Sequence, residues 1–327
     1  MKVMMIVMQE RRAILDRLYE SIADSFEHFD LYRLTTSEQK NLVQFFKRHN
    51  PLDYDRVVIS SRLKRLVPQA RLLKLIPGLV FFEYDAWQNY MPESAYFGAY
   101  TRFYRDIEGC RVVSSGYQVT KVLKADGIDA VFVPKGFDDC AILNRDVVRD
   151  IPAAFIGSLT HADYRRRADM LNAIAALVPL RTERTDSGEE YVKMLNRIKV
   201  FVNADSGMQE YMLKNFEALG AGCILLTENQ GHEENEALGF EDMKNVLLYS
   251  SVEEAIEKLG LVERDPVFAS RIAMEGEALA RNSYGFSLLG KRIAEAICLP
   301  IHEKQAHLNL LDRIYAFIFC RWLVEKD

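Results

Sequence analysis

Apolar positions in the first half of the chain follow two patterns, short continuous runs and longer segments with helical spacing. The short runs predict buried strands at residues 1–8, 56–60, 79–84, 111–114 and 130–134, and a further strand is a candidate at residues 28–34. The segments at residues 10–25, 37–49 and 118–126 repeat apolar side chains every three or four positions, which predicts amphipathic helices. Alternating strands and helices predict a parallel sheet that is covered by helices on both faces.

The second half repeats this alternation with a new series of elements. Its predicted elements lie at residues 153–159, 164–177, 191–197, 199–204, 212–219 and 245–250, and a further helix starts after the N-cap Ser251. A segment rich in Gly, Asp and Pro separates the two series at residues 136–151. We therefore expect an α/β fold of two Rossmann-like domains, residues 1–145 and 146–300, which face each other across a cleft. Ligands of such sheets bind beyond the carboxyl ends of the strands.

Composition narrows the classes of partner and compartment. The 327 residues carry a net charge of −5 without a basic block, which argues against nucleic acid as the main partner. The five cysteines are scattered without a CxxC pair, which is typical of reduced thiols in the cytoplasm. The apolar N-terminus lacks a cleavage site, and no segment is long enough to cross a bilayer. We expect a cytoplasmic protein, and leave open whether it touches the inner face of the membrane and whether it forms oligomers.

The end of the chain, residues 301–327, is predicted to be a helix that packs on the domains. Its apolar residues fall on one helical stripe, formed by Leu308, Leu311, Tyr315, Ile318 and Trp322. A helix on a membrane surface or in a dimer interface is the alternative for the same pattern.

Glu217 is the most informative single residue, because it stands among apolar residues just before a Gly-Ala-Gly turn and a strand. An unpaired carboxylate is costly in such surroundings. The helix that carries it follows Gly207, which lets the backbone approach a ligand, and the free N–H groups of its first turn can hold a phosphate. Glu217 lies further along this helix, where a carboxylate can accept hydrogen bonds from two sugar hydroxyls. This combination predicts a nucleotide-sugar site.

The segment "KNFEALGAGCILLTE", residues 214–228, resembles the C-terminal signature of GT-B glycosyltransferases, especially the CgeB-like and family 4-like enzymes. Further segments resemble elements of these enzymes in the same order, at residues 112–138, 155–167, 247–259 and 276–295. The resemblance covers nearly the whole C-terminal half and part of the N-terminal half.

The resemblance implies a hexosyltransferase that moves a sugar from a nucleotide-diphosphate donor with retention of configuration, as in polysaccharide biosynthesis. The acceptor would be a glycan, a lipid-linked saccharide or a small molecule held by the N-terminal domain. No cofactor and no metal are implied, and the sequence has no DxD motif to hold a metal. Glu217 would bind the ribose hydroxyls, and Arg165 or Arg166 would neutralise the diphosphate. The other candidates for donor contacts are Gly157, Ser158, His161, Gly207, Met208, Lys214 and Phe216.

The chain departs from the family pattern at two positions. Gln209 stands where many retaining relatives carry a second glutamate, so the neighbouring Glu210 is the candidate for that catalytic role. Ser158 stands where many carry an arginine, so the positive charge must come from Arg165, Arg166 or Lys214.

Acidic and aromatic residues also follow the strand at residues 79–84. Aromatic rings and carboxylates suit sugar faces and hydroxyls, although core packing is the common alternative for such large side chains. Asp85 is the candidate base if the reaction inverts configuration. The acidic segment at residues 228–236, in contrast, is expected to be a solvated loop.

Two other functions remain compatible with these residues. One is a nucleotide-sugar epimerase of the same fold, which would act without an acceptor. The other is a non-catalytic nucleotide-sugar-binding protein, since a fold alone does not establish an activity.

Overall fold

The computed structural model describes residues 1–9, 14–160, 164–205, 209–301 and 308–324, and the chain divides into two compact units. The first unit comprises residues 1–115, 119–133 and 290–327, and the second comprises residues 116–118 and 134–289.

A parallel sheet of six strands forms the centre of the first unit, as far as the described residues extend. The strands are β1 (Lys2–Met8), β2 (His28–Leu34), β3 (Arg56–Ser60), β4 (Leu79–Glu83), β5 (Arg111–Ser114) and β6 (Asp129–Phe132), in the order β2-β1-β3-β4-β5-β6. Strands β4 and β5 are buried along their whole length, because they lie inside a sheet whose two faces are covered. Each strand coincides with a predicted one, and the predicted parallel sheet is confirmed.

Short helices connect these strands. They are α1 (Asp16–Ala23), α2 (Leu42–Arg48), α3 (Leu63–Leu66), α4 (Ala70–Leu73), α5 (Ala99–Ile107) and α6 (Tyr117–Ala125), with 3₁₀ helices at Glu38–Lys40, Pro51–Asp53, Val67–Gln69 and Ala86–Tyr90. The single helix predicted over residues 37–49 is divided, because the side chain of Asn41 accepts a hydrogen bond from the Gln44 backbone N–H at 3.2 Å and starts α2.

The second unit contains a five-stranded parallel sheet within the described residues. Its strands are β7 (Ile151–Ile156), β8 (Arg181–Glu183), β9 (Ile198–Asn203), β10 (Ile224–Glu228) and β11 (Leu247–Tyr249), in the order β11-β10-β9-β7-β8. The chain moves from β7 to β8 on one side and then returns to place β9 on the other side of β7. The gap beyond the carboxyl ends of β7 and β9 is therefore the switch point, where open α/β sheets bind ligands. Strand β8 was not predicted from the sequence, because its three residues are polar and mostly exposed.

The helices of the second unit flank this sheet. They are α7 (Arg165–Ala175), α8 (Glu189–Arg197), α9 (Leu213–Gly220), α10 (His232–Leu238), α11 (Val252–Arg264) and α12 (Pro266–Ser283), and α13 (Phe286–Cys298) leads back to the first unit. Ser251 caps α11 as predicted, since its hydroxyl accepts a hydrogen bond from the Glu254 backbone N–H at 3.2 Å.

The acidic segment at residues 228–236 is not a solvated loop, and this prediction is wrong. Residues from His232 onward form α10, and Glu234 on this helix is only 1 % exposed. The sequence signal was misleading because three glutamates share a short helix and only one of them points inward.

The turn from α9 into β10 is as tight as its glycines predict. Helix α9 ends at Gly220, where an added Cβ would lie 2.4 Å from the ring of Phe137. Gly222 has a φ of +77°, a conformation that favours glycine. Both glycines are required by the close approach of the backbone, as expected.

The end of the chain belongs to the first unit. The guanidinium of Arg111 in β5 donates hydrogen bonds to the carbonyls of Ala296, Leu299 and Pro300 at 2.7–3.1 Å. These contacts hold residues 296–300 against the first sheet, whereas the sequence placed the boundary after residue 300.

The helices α14 (Leu310–Phe319) and α15 (Arg321–Val324) follow. On this segment Asp312, Ala316, Cys320 and Leu323 are buried, so the inward stripe lies one or two residues from the predicted one. The predicted inward positions Leu311 and Ile318 are 57 % and 60 % exposed.

All five cysteines are free thiols. Burial raises the pKa of Cys110 to about 12 and that of Cys223 to about 11. Cys320 is also buried, whereas Cys140 and Cys298 are exposed. Among the described residues, no helix has both the length and the apolar character needed to span a bilayer.

Candidate functional site

The carboxyl edge of the second sheet gathers glycine, cationic and acidic residues. Gly157 follows β7, Arg184 follows β8, Asp205 lies two residues after β9, and Glu228 ends β10. The Gly157 N–H donates a hydrogen bond to the Glu183 carbonyl at 2.9 Å, which places Gly157 and Arg184 side by side. This edge is the predicted ligand side of a parallel sheet.

A first group of side chains lies beside Gly157 and is named here the Lys214 cluster: Gly157, Arg184, Tyr191, Lys214 and Glu217. A Cβ at Gly157 would lie 2.9 Å from Cε of Lys214, so the glycine leaves room for the lysine side chain. The Lys214 Nζ lies 4.5 Å from the centre of the Tyr191 ring, within cation–π range. Helices α8 and α9 therefore bring a tyrosine and a lysine to the end of β7.

Glu217 has a partner in this cluster. The Tyr191 hydroxyl donates a hydrogen bond to Glu217 Oε2 at 2.7 Å. Burial, and then the charge of Glu217, raises the pKa of Tyr191 well above its usual range, which keeps the hydroxyl protonated as a donor. The carboxylate is half-buried and held in one orientation, so its second oxygen can accept hydrogen bonds from a ligand.

The Lys214 cluster has more positive than negative charge. Burial lowers the pKa of Lys214, Glu217 opposes this effect, and the cations Arg167 and Arg184 lower the pKa further. Arg184 forms no ion pair within the part of the chain that the structure describes. An anion bound beside Lys214 and Arg184 would relieve their mutual repulsion.

A second group, the Arg166 cluster, consists of Arg166, Asp205 and Glu228. The Arg166 guanidinium forms ion pairs with both carboxylates, at 3.0 Å to Asp205 Oδ2 and 3.1 Å to Glu228 Oε2. Burial lowers the pKa of Arg166, but these two carboxylates raise it by more. A polar pocket of about 480 Å³ lies against the cluster. Its lining consists of Arg166, Asp205, Gln209, Glu228, Asn229, Gln230 and Gly231.

A third group, the Lys135 cluster, consists of Lys135, Glu210 and Glu234, and all three residues are buried. Lys135 and Glu210 form an ion pair, and both side chains are only 2 % exposed. Glu234 accepts hydrogen bonds from the backbone N–H groups of Gln118 at 3.0 Å and Tyr117 at 3.4 Å. Burial raises the pKa of Glu234 to about 7; the backbone N–H groups and Lys135 oppose this shift, while Glu210 adds to it.

The predicted site residues thus fall into different places. Gly157, Lys214 and Glu217 come together, whereas Arg166 and Glu210 are engaged by Glu228 and Lys135 respectively. Their predicted roles stay predictions.

The remaining predicted residues do not share one location. Phe216 is 1 % exposed and packs edge-on against Tyr284 with ring centres 4.8 Å apart. Arg165 is exposed at the start of α7, and the Ser158 hydroxyl lies 3.4 Å from that of Thr160. Asp85 is exposed in the first unit. The predicted residues His161, Gly207 and Met208 lie outside the described residues.

Sequence reasoning missed Arg184, Tyr191 and the carboxylates Asp205 and Glu228. Arg184 follows a strand too short to predict, and Tyr191 could be placed on a helix but not toward Glu217. Glu228 ends a predicted strand, and that position was the one available signal.

Three potential metal ligands lie together elsewhere in the second unit. The ligand atoms of Asp138, Asp139 and Cys140 are within 4.8 Å of one another. The Asp138 carboxylate already accepts hydrogen bonds from the backbone N–H groups of Cys140 and Ala141 at 3.0 Å, and Asp139 accepts one from Ser287 at 3.1 Å. These bonds give both carboxylates a role in shaping a turn.

The chain is similar to several solved structures over most of its length. HepE from Anabaena, in a complex with UDP-glucose, has a TM-score of 0.66 at 14% identity, with 91% of this chain and 99% of that chain covered. Sucrose-phosphate synthase from Thermosynechococcus elongatus has a TM-score of 0.66 at 10% identity, with 90% and 98% covered. The glucosyltransferase BGT of T4 phage, in a complex with UDP and Mn²⁺, has a TM-score of 0.57 at 12% identity, with 91% and 100% covered. At these identities the likeness concerns the fold.

A family model described as "Glycosyl transferase-like" matches residues 146–287, which contain all of the Lys214 and Arg166 clusters. No curated protein matches the sequence. The chain therefore has the fold of GT-B glycosyltransferases, and its residues 146–287 match a glycosyl transferase-like family model.

Proposed function

We propose that the chain is a glycosyltransferase that uses a nucleotide-diphosphate sugar, bound beyond the carboxyl ends of β7 and β9. The observation that carries this proposal is the Lys214 cluster. It combines a carboxylate held in place by Tyr191 with two cations that have little compensating negative charge. The carboxylate can accept hydrogen bonds from ribose hydroxyls, and the two cations can pair with the negative charge of a diphosphate.

Glu217 is the proposed ribose ligand. Tyr191 occupies one of its oxygens at 2.7 Å, so the other oxygen can accept from a ribose hydroxyl without rotation of the side chain. HepE is described with UDP and glucose, and BGT with UDP, which makes uridine the first base to test.

Lys214 and Arg184 are the proposed ligands of the diphosphate. Arg166 was an equal candidate from the sequence, but its charge is already balanced by Glu228 and Asp205. When the sugar leaves, the bond between its anomeric carbon and the diphosphate oxygen breaks, and negative charge grows on that oxygen. Cations already placed there stabilise this charge without a metal ion.

The pocket beside the Arg166 cluster is the proposed place for the transferred hexose. Its carboxylates, amides and backbone offer acceptors and donors for several hydroxyls. Glu210 pairs with Lys135, and Gln209 on the pocket wall has a φ of +51°. Retention of configuration is proposed from the family resemblance. Because Glu210 is paired with Lys135, the role proposed for it passes to Gln209 or to the backbone beside Gln209.

The acceptor is proposed to bind the first unit. Here Glu83 accepts hydrogen bonds from the Asp85 backbone N–H at 2.8 Å and from the Tyr104 hydroxyl at 3.2 Å, which fixes the loop that carries Asp85. A glycan, a lipid-linked saccharide and a small molecule are the proposed acceptor classes, in a cytoplasmic pathway of polysaccharide synthesis.

Thermal melting with UDP, GDP, ADP and CMP tests the donor site. A ligand that binds only the folded state stabilises it by about 2.7 kcal/mol at a hundredfold excess over its dissociation constant. We expect UDP to raise the melting midpoint of the wild type, Glu217→Ala to lose the shift, and Glu236→Ala, an exposed glutamate on α10, to keep it. A folded protein that none of the nucleotides stabilises would contradict the proposed donor site.

Release of free nucleotide from UDP-glucose, with and without added acceptors, separates the three functions. Release that requires an acceptor supports transfer. Isomerised donor without release would identify an epimerase, and tight binding without turnover would identify a non-catalytic protein.

A further inference from the structure

Helix α14 turns its apolar side chains outward. Six large apolar residues of this ten-residue helix are 46–73 % exposed. They form the surface named here the α14 face: Leu310, Leu311, Ile314, Phe317, Ile318 and Phe319. Such a surface is unusual on a protein that meets only water, where an exposed helix presents its polar side.

The inward side of α14 is fixed by charge. Asp312 is 2 % exposed and lies 3.4 Å from Lys74 Nζ and 3.5 Å from Arg71 Nε. Its carboxylate also accepts a hydrogen bond from the Asn309 backbone N–H at 3.3 Å, and its own backbone N–H donates one to Asn309 Oδ1 at 2.8 Å, which forms a capping box. Burying the apolar side of α14 would require rotation of the helix. This rotation would break the ion pairs and hydrogen bonds of Asp312.

Cations surround the α14 face. Arg313 and Arg321 are exposed on the same segment, and the Arg71 side chain that reaches Asp312 is 51 % exposed. Within residues 310–324 Asp312 is the only carboxylate in the sequence, and it is buried. The outward surface of α14 and α15 is thus apolar, with two exposed arginines and no exposed carboxylate on either helix, while the nearby Asp106 is paired with Lys74 at 2.6 Å.

We propose that the α14 face docks on an anionic lipid surface, with α14 lying in the plane of the interface. An interfacial helix inserts apolar side chains between lipid headgroups while neighbouring cations attract anionic lipids. A second copy of the chain fits less well, because a symmetric contact would gather the arginines of both copies around one interface to which α14 and α15 contribute no exposed carboxylate. The proposal does not depend on the proposed donor site, which lies in the other unit.

Co-sedimentation of the full chain with lipid vesicles tests this proposal. We expect binding to vesicles of phosphatidylcholine mixed with phosphatidylglycerol, weaker binding to pure phosphatidylcholine, and a loss of binding as salt rises. The variant Leu310→Gln/Phe317→Gln/Ile318→Gln should bind at least tenfold more weakly. Arg313→Gln/Arg321→Gln should weaken binding about fivefold for each charge removed.

The control is Val267→Gln/Met274→Gln, which changes two apolar side chains of α12 that are 81 % and 70 % exposed. It should bind vesicles like the wild type. Melting midpoints within the range of the wild type show that each variant is folded. Absence of binding to the mixed vesicles by folded wild type would overturn the proposal. A dimer that the triple variant dissolves, without vesicle binding, would overturn it in favour of a second copy.

Discussion

The Lys214 cluster and the Lys135 cluster use similar residues in opposite ways. Each contains a lysine and a glutamate from the second unit. In the Lys135 cluster, Lys135 and Glu210 pair directly, and their side chains are only 2 % exposed. Lys214 instead lies over the ring of Tyr191, while Glu217 takes the tyrosine hydroxyl. The lysine and glutamate of the Lys214 cluster are thus held close without neutralising each other.

The difference separates charges that support the fold from charges that are available to a ligand. A closed ion pair satisfies both partners, and removing one leaves a buried charge without compensation. A cluster with excess charge costs stability in the empty protein and gains it when a counter-ion binds. The balance of charge and access, more than the residue types, is the reason for proposing the Lys214 cluster as the substrate site.

Breaking the closed pair should give the largest effect. Lys135→Met leaves Glu210 buried without its cation and should lower the free energy of unfolding by about 3–5 kcal/mol. The double variant Lys135→Met/Glu210→Gln removes the stranded charge and should recover most of that loss. Urea denaturation of the three proteins measures both values. A loss below about 1 kcal/mol in the single variant would mean that water reaches the pair and that the two clusters do not differ as described.

Glu234 should give the next largest effect, as a dependence of stability on pH. Its pKa in the folded protein is about 7, raised from 4.5 mainly by burial. The resulting stabilisation is fully present below pH 4.5 and is lost as pH rises through 7, on the order of 3 kcal/mol in all. Glu234→Gln keeps an acceptor for the Gln118 N–H and removes the titration. Its unfolding free energy should therefore fall less over this range than that of the wild type.

Glu236→Gln provides the matched control for this titration, since Glu236 lies exposed on the same helix. It should follow the wild-type pH profile. Parallel profiles for the wild type and Glu234→Gln would show that the buried carboxyl titrates normally.

Lys214 should give the smallest change in free energy, and the change should appear in binding rather than folding. Lys214→Met removes the proposed charged hydrogen bond to the diphosphate, worth about 1.5–3 kcal/mol, so the affinity for UDP should fall about ten- to a hundredfold. The stability of the nucleotide-free protein should stay the same or rise, because a half-buried cation with a lowered pKa is removed. Calorimetric titration and urea denaturation measure the two quantities.

Two arginine variants sharpen this last comparison. Arg184→Ala should weaken UDP binding in the same direction as Lys214→Met, whereas Arg165→Ala, at the exposed start of α7, should leave it unchanged. The reverse order would move the diphosphate to the start of α7 and contradict the assignment to the Lys214 cluster.

Much of the fold follows from local pattern. Strands β3 and β5 begin and end at the residues predicted from their apolar runs, because a strand inside a covered parallel sheet is largely apolar along its length. The bounds of β2 also match, although it is an edge strand with only its last residue buried. Strand β8 and helix α10 were not predicted, because β8 consists of three polar residues and α10 is mostly glutamate and asparagine. Their positions are set by pairing with β7 and by the inward hydrogen bonds of Glu234.

The candidate site could be assembled from the sequence only in part, for a related reason. The spacing of Lys214, Glu217 and the glycines is local, so a single helix and turn display it. The partners of these residues come from distant positions, and nothing in the sequence near Tyr191 or Arg184 indicates that they meet Glu217 and Lys214. Likewise, the ion pair between Lys135 and Glu210 joins residues 75 positions apart and cannot be read from either segment.

The uneven burial of the cysteines has a practical use. Maleimide reagents attack thiolates, so the buried thiols of raised pKa, such as Cys110 and Cys223, should resist labelling in the folded state. The exposed Cys140 and Cys298 belong to the second and first units respectively. The natural sequence thus offers one accessible attachment point in each unit, so a thiol-reactive probe can be placed on either unit without a cysteine substitution in the core.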